Sequence, residues 1–436
     1  MEPTSSKITG QVLIPKGDFA NIRKVINNIV SFKKEIENSF KKEITETAEV
    51  ILGGAIALEA SDIHIEPEEE QVKIRIRVDG MLQDITTIGF ESYRPLLSRI
   101  KLLSGLKLNI SDRPQDGRFT IALPDTFIEI RSSSLPAEYG ESIVLRILNP
   151  KSLIEIEKLG LRKDLLDIVT KEIKKPNGMI MVTGPTGSGK TTTLYAFLKK
   201  IQTPEIKIIT IEDPIEYHLK GISQTQVAQE KGYDFANGLK SIMRQDPDVV
   251  LVGEIRDLET ATTALQASLT GHLVLSTLHT NDATGTITRL QALGEKPVNI
   301  APALNMAVAQ RLVRKVCRRC SSLEIMSSDV FKEIKTELKT IPKNIKIPAF
   351  DRKTKILGPK GCSECNFTGY KGRIGVFEAF LVDADIEKLI LKSPSISELR
   401  EKTIQKGMIT MYQDGLIKVL EGVTTLEEVK RIVAED

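Results

Sequence analysis

Between Met179 and Thr277 the chain repeats one alternation. Short apolar runs at Met179–Thr183, Ile206–Ile211, Val249–Val252 and Leu273–Thr277 are bounded by turn residues. Stretches with helical spacing, Thr191–Ile201, Phe235–Arg244 and Leu258–Leu269, lie among them. Runs that are apolar on both faces and alternate with helices predict a mostly parallel sheet covered by helices on both sides. The region before it reads differently. Val72, Ile74, Ile76 and Val78 alternate with Lys73, Arg75, Arg77 and Asp79. Period two means one buried face and one polar face that carries both arginines. Asp79-Gly80 predicts a hairpin turn. Helix is expected over Thr45–Ala60, leading into a short strand at SDIHIEP, with further strands at Phe119–Leu123, Phe127–Ser132 and Ser142–Leu148.

These patterns divide the chain. Residues 1–42 are charged, and Ile22, Val25, Ile26, Ile29, Ile36 and Phe40 recur at helical spacing. They predict one amphipathic helix that packs on its own domain or docks a partner. Residues 43–150 read as a small α+β domain, and 151–436 as the α/β domain. After Pro297 the chain reads as mainly helical, apart from a cysteine-bearing insert at 317–365 and a last strand at Gly375–Leu381.

Composition narrows the class. A chain of 436 residues suggests about three domains. With 41% hydrophobic and 27% charged residues it holds enough apolar material for several cores, which excludes wholesale disorder. Lys+Arg is 61 against Asp+Glu 58, and a net charge of +3 argues against nucleic acid as a partner. The opening MEPTSSKITG has no apolar stretch of a signal peptide. The longest stretch without Lys, Arg, Asp or Glu, Thr260–Asn281, contains Gln266, Gly271, His272 and His279 and reads as a buried helix and strand rather than a membrane span. A soluble cytoplasmic protein is expected.

The four cysteines all fall in two C-x-x-C pairs, Cys317 with Cys320 and Cys362 with Cys365. That spacing suits a closed tetrahedral zinc site, structural because no coordination position stays open. The intervening segment would fold as a finger closed by the metal. Nearby Arg311, Arg314, Lys315, Arg318 and Arg319 form a basic cluster, read as a subunit interface or a contact for an anionic surface on a membrane partner.

Gly184-Pro185-Thr186-Gly187-Ser188-Gly189-Lys190-Thr191 matches G-x-x-x-x-G-K-[ST] in full, after an apolar strand and opening a helix that continues with Thr192. Glycines let backbone N–H groups turn inward around a phosphate, and the helix N-terminus adds its positive dipole end. Lys190 supplies charge to the β- and γ-phosphates, and the Thr191 hydroxyl suits Mg²⁺. Val249–Val252 followed by Gly253 and Glu254 offers the second acidic element. Gly253 stands where an Asp ordinarily holds the metal, so Glu254 is left to bind Mg²⁺ through water or to orient the attacking water.

In order along the chain, GPTGSGKTTT, ITIEDPIEY (209–217), RQDPDVVLVGEIRD (244–257) and TGHLVLSTLHTNDA (270–283) resemble four boxes of the secretion ATPase superfamily, the hexameric motors of type II secretion and type IV pilus assembly. ASDIHIEP, RIRVDG, RPQDGR, the four cysteines and the ending DGLIKVLEGVTTLEEVKRI extend the resemblance to roughly residues 43–434. It implies a RecA-like P-loop ATPase domain, an N-terminal α+β (PAS-like) domain and a zinc-finger-like insert. It implies Glu216 as the base that orients water, supported by Glu212 and Asp213, with Glu254 as the variant Walker B acid. His272 and His279 match the His-box pair. Arg118 and Arg131 resemble the arginines that the N-terminal domain brings to the phosphates; Arg113 and Arg146, and behind them Arg75 and Arg77, are weaker candidates.

The expected function is therefore ATP hydrolysis, with ATP, Mg²⁺ and Zn²⁺ as cofactors. A homo-hexamer, cytoplasmic and peripheral at the inner membrane, would work on the inner-membrane platform protein of a pilus or secretion machine. The short region before residue 43 leaves little room for the extra docking domain of longer members. Motors for DNA uptake or conjugation, pilus retraction, and a scaffold that binds nucleotide without hydrolysing it are the alternatives. The cysteines favour an assembly motor over a retraction motor.

Overall fold

The structure, a computed structural model, describes residues 10–41, 43–150 and 153–433. Residues 1–9, which carry most of the opening read for a signal peptide, lie outside the described residues. The chain forms two compact units. One is built from the chain before Leu153 with Cys317–Cys320 and Lys360–Lys371; the other holds Leu153–Val316, Ser321–Pro359 and the chain from Gly372.

The first unit runs β1 (Gln11–Leu13), α1 (Lys16–Val25), α2 (Ile29–Ser39), α3 (Ile44–Ala57), β2 (Asp62–Pro67), β3 (Val72–Val78), β4 (Met81–Ile88), α4 (Phe90–Ser104), β5 (Gln115–Leu123), β6 (Thr126–Ala137) and β7 (Gly140–Leu148). Its sheet has the order β1-β5-β6-β7-β2-β3-β4, antiparallel except where β1 joins β5. Period two is obeyed as expected: Ile63, Ile65, Ile74, Ile76, Ile130 and Ile143 are fully buried on one face under the helices. The opposite face keeps the charged residues.

The expected single helix over residues 18–40 is two. Asn28 breaks it, because its side chain accepts from Val30 and Ser31 N–H at 2.9 and 3.0 Å and so caps a new start at α2. Phe32 and Ile36 of α2 are fully buried against α3, so the apolar face of this segment packs within its own unit. The approach is close. A Cβ on Gly54 of α3 would lie 2.3 Å from Cε2 of Phe32.

In the second unit α5 (Lys163–Glu172) precedes β8 (Gly178–Thr183), α6 (Lys190–Ile201), β9 (Ile208–Glu212), β10 (Ser223–Gln226), α7 (Phe235–Met243), β11 (Val249–Val252), α8 (Leu258–Leu269), β12 (Leu273–Leu278), α9 (Gly285–Ala292), α10 (Pro297–Ala303) and β13 (Leu304–Val316). With β16 (Tyr370–Leu381) the strands take the order β10-β9-β11-β12-β8-β13-β16. The pairs from β10 through β13 are parallel. β8 is buried on both faces. Met179 and Met181 pack with α7 and α8, while Ile180 and Val182 pack with α6.

Two features depart from the sequence reading. Residues 304–316 are a strand, not a helix. The run LNMAVAQRLVRKV is rich in helix formers, and burial of its first half on both faces hides any alternation, so position in the sheet overrides propensity. The segment between the cysteine pairs is not a free-standing finger. Its α11 (Ser328–Leu338) and Ile356 of β15 (Lys355–Gly358) share a small core with α14 (Met411–Leu420), while β14 (Ser322–Ile325) pairs with β15 and is largely exposed. The remaining helices are α12 (Ala384–Ile390), α13 (Ile396–Gln405) and α15 (Leu426–Val433). Among the described residues no helix is long and apolar enough to cross a membrane.

Gly54→Ala is expected to lower the unfolding free energy by about 1–3 kcal/mol through overpacking against Phe32, despite alanine's better helix propensity. Urea unfolding followed by circular dichroism reads this; a midpoint that does not fall removes the packing argument.

Candidate active site

The phosphate loop leaves β8 at the C-terminal edge of the sheet, where β12 also ends and β13 runs on to Val316. Thr183 pairs in register with Leu278 on one side and Ala309 on the other. Its buried hydroxyl donates to the Leu278 carbonyl at 3.1 Å and lies 2.6 Å from the Thr280 hydroxyl, whose own N–H returns a bond of 2.9 Å. Gly184 and Gly189 have φ of +152° and +90°. A Cβ on Gly184 would meet the Gln310 carbonyl oxygen at 2.6 Å, so only glycine can leave the strand here. Pro185, Thr186 and Gly187 form the exposed tip. Ser188 is buried, and its hydroxyl has no partner among the described residues.

Lys190 opens α6 and folds back over the loop. Its Nζ donates to the carbonyls of Gly184 and Pro185 at 2.7 and 3.1 Å. Burial pushes its pKa down to about 8; the Glu254 charge opposes this and the Arg311 charge adds to it. Thr191 and Thr192 follow on the first turn, Thr191 exposed and Thr192 half-buried.

Glu254 emerges from β11 beside them. Gly253 donates to the Ile211 carbonyl at 2.8 Å, and a Cβ there would press on Glu212 Cα and Ile211 O at 3.3 Å. A side chain at Gly253 would therefore be tight against β9. The Glu254 carboxylate pairs with Arg256 and lies 3.6 Å from His279 Nε2. Burial lowers the His279 pKa, and the Lys190 charge lowers it further against the pull of Glu254. Lys190, Glu254 and Arg256 thus form one cluster of charges, with the His279 imidazole beside Glu254.

Other expected residues sit elsewhere. Glu212 is buried and accepts from the Tyr195 hydroxyl, the Thr210 hydroxyl at 2.5 Å and Gln224 Nε2 at 3.1 Å, a brace among β9, β10 and α6. Asp213 is exposed at the end of β9. Glu216 lies half-buried in the following loop, its backbone bonded with that of Tyr217 to the Tyr195 hydroxyl. His272 stands at the far end of β12, about 20 Å along the strand from His279, with Nδ1 3.0 Å from the Ala267 carbonyl. Within one chain the structure does not bring it to the phosphate loop. Two residues that sequence reasoning missed are Arg256 and Gln310. Arg256 could have been found two places after the acid; Gln310 sits on the unforeseen strand, and its buried amide accepts from Thr193 Oγ1 at 2.7 Å.

The arginines line the polar face of the first unit. Cross-strand pairing puts Arg118, Arg131, Arg146, Asp62 and Arg77 in one row over five strands. Arg146 Nε donates to buried Asp62 at 3.1 Å, and Arg77 approaches the same carboxylate at 3.4 Å. Arg118 and Arg113 are exposed, whereas Arg75 pairs with Glu66. Like charges directly opposite each other are unfavourable until an anion joins them.

The four thiols also meet in the first unit. Their sulfurs lie within 4.8 Å of one another, with Cys317–Cys362 at 3.9 Å and both Cys320–Cys365 and Cys362–Cys365 at 3.8 Å. A tetrahedron of metal–sulfur bonds of about 2.3 Å has edges of about 3.8 Å. N–H groups of Gly361, Cys362 and Gly369 point at the sulfurs at 3.2–3.3 Å, as thiolate ligands require. No disulfide joins them. The residues fit a closed metal centre.

The lowered Lys190 pKa gives a pH dependence. Between pH 8 and 10.5 the unfolded chain holds a proton that the folded chain has released, so stability rises with pH across that window and the penalty is fully present below it. In urea unfolding of the nucleotide-free protein, Lys190→Met is expected to remove a rise of about 1 kcal/mol, a value reduced from the full shift because the side chain is partly in water. An unchanged slope counts against the burial argument.

The family model of type II/IV secretion system proteins matches residues 37–431. The type II secretion system ATPase E of Vibrio cholerae is 42% identical over 403 residues, covering 92% of this chain and 77% of that protein. Type II secretion system protein E of Aeromonas hydrophila is 44% identical over 387 residues, 88% of this chain and 75% of its own length. The type IV pilus assembly ATPase PilB of Thermus thermophilus is 42% identical over 380 residues, and the chain spans 42% of that longer protein. Among solved structures, the pilus retraction motor PilT with bound ADP aligns with a TM-score of 0.59 and 28% identity over 89% of this chain and 97% of that one. The Legionella pneumophila ATPase DotB, at 22% identity, shares the fold with a TM-score of 0.63 over 88% of this chain and 94% of that one. With the sheet edge, the phosphate loop and the acid cluster in place, the chain belongs to the family of type II/IV secretion system proteins.

Proposed function

We propose that this chain is a motor ATPase that hydrolyses ATP to drive assembly of a type IV pilus or of the pseudopilus of type II secretion. One observation carries the reading: Lys190, Glu254 and His279 converge at the end of β8, beside a glycine loop that follows the strand and opens α6. The names of the relatives supply the machine.

The residues present suit the chemistry. Lys190 would exchange the carbonyls of Gly184 and Pro185 for the β- and γ-phosphates, and the loop N–H groups would face the same oxygens. The Thr191 hydroxyl would hold Mg²⁺, which neutralises charge on the phosphates when bound. Glu254 would act on the metal through water, and Glu216 would orient the attacking water. The arginine row, with Arg118 and Arg131 adjacent, supplies planar cations for charge spread over the transferring phosphoryl group.

The larger reading follows from the family. The second unit is RecA-like and the first PAS-like; in support, the first strand after α3 pairs with the last, β2 with β7, at the centre of the first unit's sheet. The cysteines take zinc as a structural ion. Six copies form a ring, cytoplasmic and peripheral at the inner membrane, acting on a platform protein there.

Lys190→Ala and Glu254→Gln are expected to lower ATP turnover by at least about a hundredfold, and wild-type turnover should not respond to single-stranded DNA. Steady-state phosphate release with size measurement tests this; no turnover in any assembly state, or turnover that needs DNA, overturns the reading. Arg118→Ala should reduce kcat more than nucleotide affinity; equal loss of both argues against a transition-state role. Elemental analysis should find one zinc per chain, absent after Cys362→Ser.

A further inference from the structure

β13 carries one cation toward the phosphate loop that the motifs do not assign. Ala309 is the last residue of β13 paired with β8, level with Thr183. Arg311 stands two residues beyond it, on the edge where the loop turns. Its Nη1 donates to the Gln310 carbonyl at 3.2 Å, the same oxygen that forbids a side chain at Gly184. Its Nη2 donates to the Asn281 carbonyl at 2.9 Å, two residues past His279.

The acids nearest to it are committed elsewhere. Asp282 accepts from Gly285 N–H at 2.7 Å and the Thr284 hydroxyl at 2.8 Å. Glu378 accepts from Ala283 N–H at 2.8 Å and Met411 N–H at 3.2 Å. Arg400 lies 3.7 Å from Asp282 and 3.9 Å from Glu378. Among the described residues Arg311 has only carbonyl partners and no carboxylate within 4.0 Å. It is half-buried, its pKa is lowered chiefly by that burial, and its charge depresses the titration of Lys190. The Arg311 charge works against that of Lys190, while Glu254 favours the charged Lys190 and Glu378 and Asp282 favour the charged Arg311; an anion bound between the two cations adds to that compensation.

We infer that Arg311 is a phosphate-binding residue supplied by the ATPase unit itself, separate from the arginine row of the first unit, placed to bond the terminal phosphate of a bound triphosphate. A diphosphate ends short of it and leaves it on the Asn281 carbonyl. The residue thereby distinguishes the two nucleotides and ties the terminal phosphate to the segment that follows His279. The assignment rests on the ATPase reading above.

The test is calorimetric titration of the full chain, with Mg²⁺, by ADP and by an ATP analogue whose β–γ bridge is an NH group. Arg311→Gln can still donate to the Asn281 carbonyl but has no charge; Arg311→Lys keeps the charge. A charge-assisted hydrogen bond predicts that Arg311→Gln loses about ten- to a hundredfold in affinity for the triphosphate analogue. ADP affinity should change by less than about threefold, and Arg311→Lys should recover most of the triphosphate affinity. Equal loss of both nucleotides, loss of ADP binding altogether, or rescue by Gln and not by Lys makes Arg311 a structural pin and overturns the assignment alone. A wild-type chain that binds neither nucleotide overturns the ATPase reading and this one with it.

Discussion

The hydrogen-bond ladders that hold β8 between β12 and β13 decide where the groups of the candidate site can be. Thr183 is level with Leu278 and with Ala309, so β8 and β12 end together, β13 runs on beside them to Val316, and the residues after β8 and β12 emerge on one edge. A strand flanked on both sides and buried on both faces has one way out. Gly184 takes it, at a φ no side chain would tolerate against the Gln310 carbonyl. The loop then delivers α6 with its free N–H groups and dipole toward the same edge. A slip of one residue would invert the faces of β8, exchanging Met179 and Met181 for Ile180 and Val182 and removing the Thr183–Thr280 contact. Register, more than any single side chain, makes the site.

Buried charges carry this edge into the C-terminal helices. Asp414 is fully buried, yet it takes bonds of 2.7 Å from both Arg162 and Lys418 and 2.8 Å from the Phe377 N–H, which together outweigh burial and hold its pKa down. Glu428 likewise gathers Arg314 and Arg431, and despite burial is held at about 2. Glu378 differs. It bridges Ala283 and Met411 through their N–H groups, with Arg400 only at the limit of an ion pair, and burial raises its pKa. One carboxyl group therefore joins the segment after β12 to the start of α14. Removing a partner from a buried pair costs about 3–5 kcal/mol, so such connections are kept whole or lost whole.

What could be read from the sequence followed the range of the interaction. The phosphate loop was legible because its chemistry is local: eight consecutive residues with a strand before and a helix after. Alternation in β3 placed Arg75 and Arg77 on a polar face. It could not place Arg118, Arg131, Arg146 and Arg77 in one row, because that needs the register of five strands. β13 was invisible to periodicity since its buried half has no polar face to alternate with. The resemblance names His272 and His279 as a pair, yet a strand of six residues separates the two rings, and only His279 meets Glu254. Gly253 stands out in the sequence as an anomaly; the 3.3 Å approach of β9 to it is a tertiary fact.

The cysteines mark the far limit of that range. Spacing announced four ligands, but not that Cys317–Cys320 and Lys360–Lys371 would join the N-terminal unit while the chain between them joins the other. The reason lies one residue past Cys365. Asn366 is held in the left-handed region at φ +50°, and its side chain accepts the Ile29 N–H at 3.0 Å. Asn28 accepts from the next two N–H groups, so the first turn of α2 is satisfied partly by its own cap and partly by a loop 337 residues away. Closing a loop that long costs entropy that one hydrogen bond does not recover. The two cysteine turns pack together and fix the loop independently, with Cys317 N–H bonded to the Gly369 carbonyl at 2.9 Å. The Ile29 contact thus ties the first turn of α2 to the loop that carries Cys365, a link that nothing in the sequence of the N-terminal helices announces.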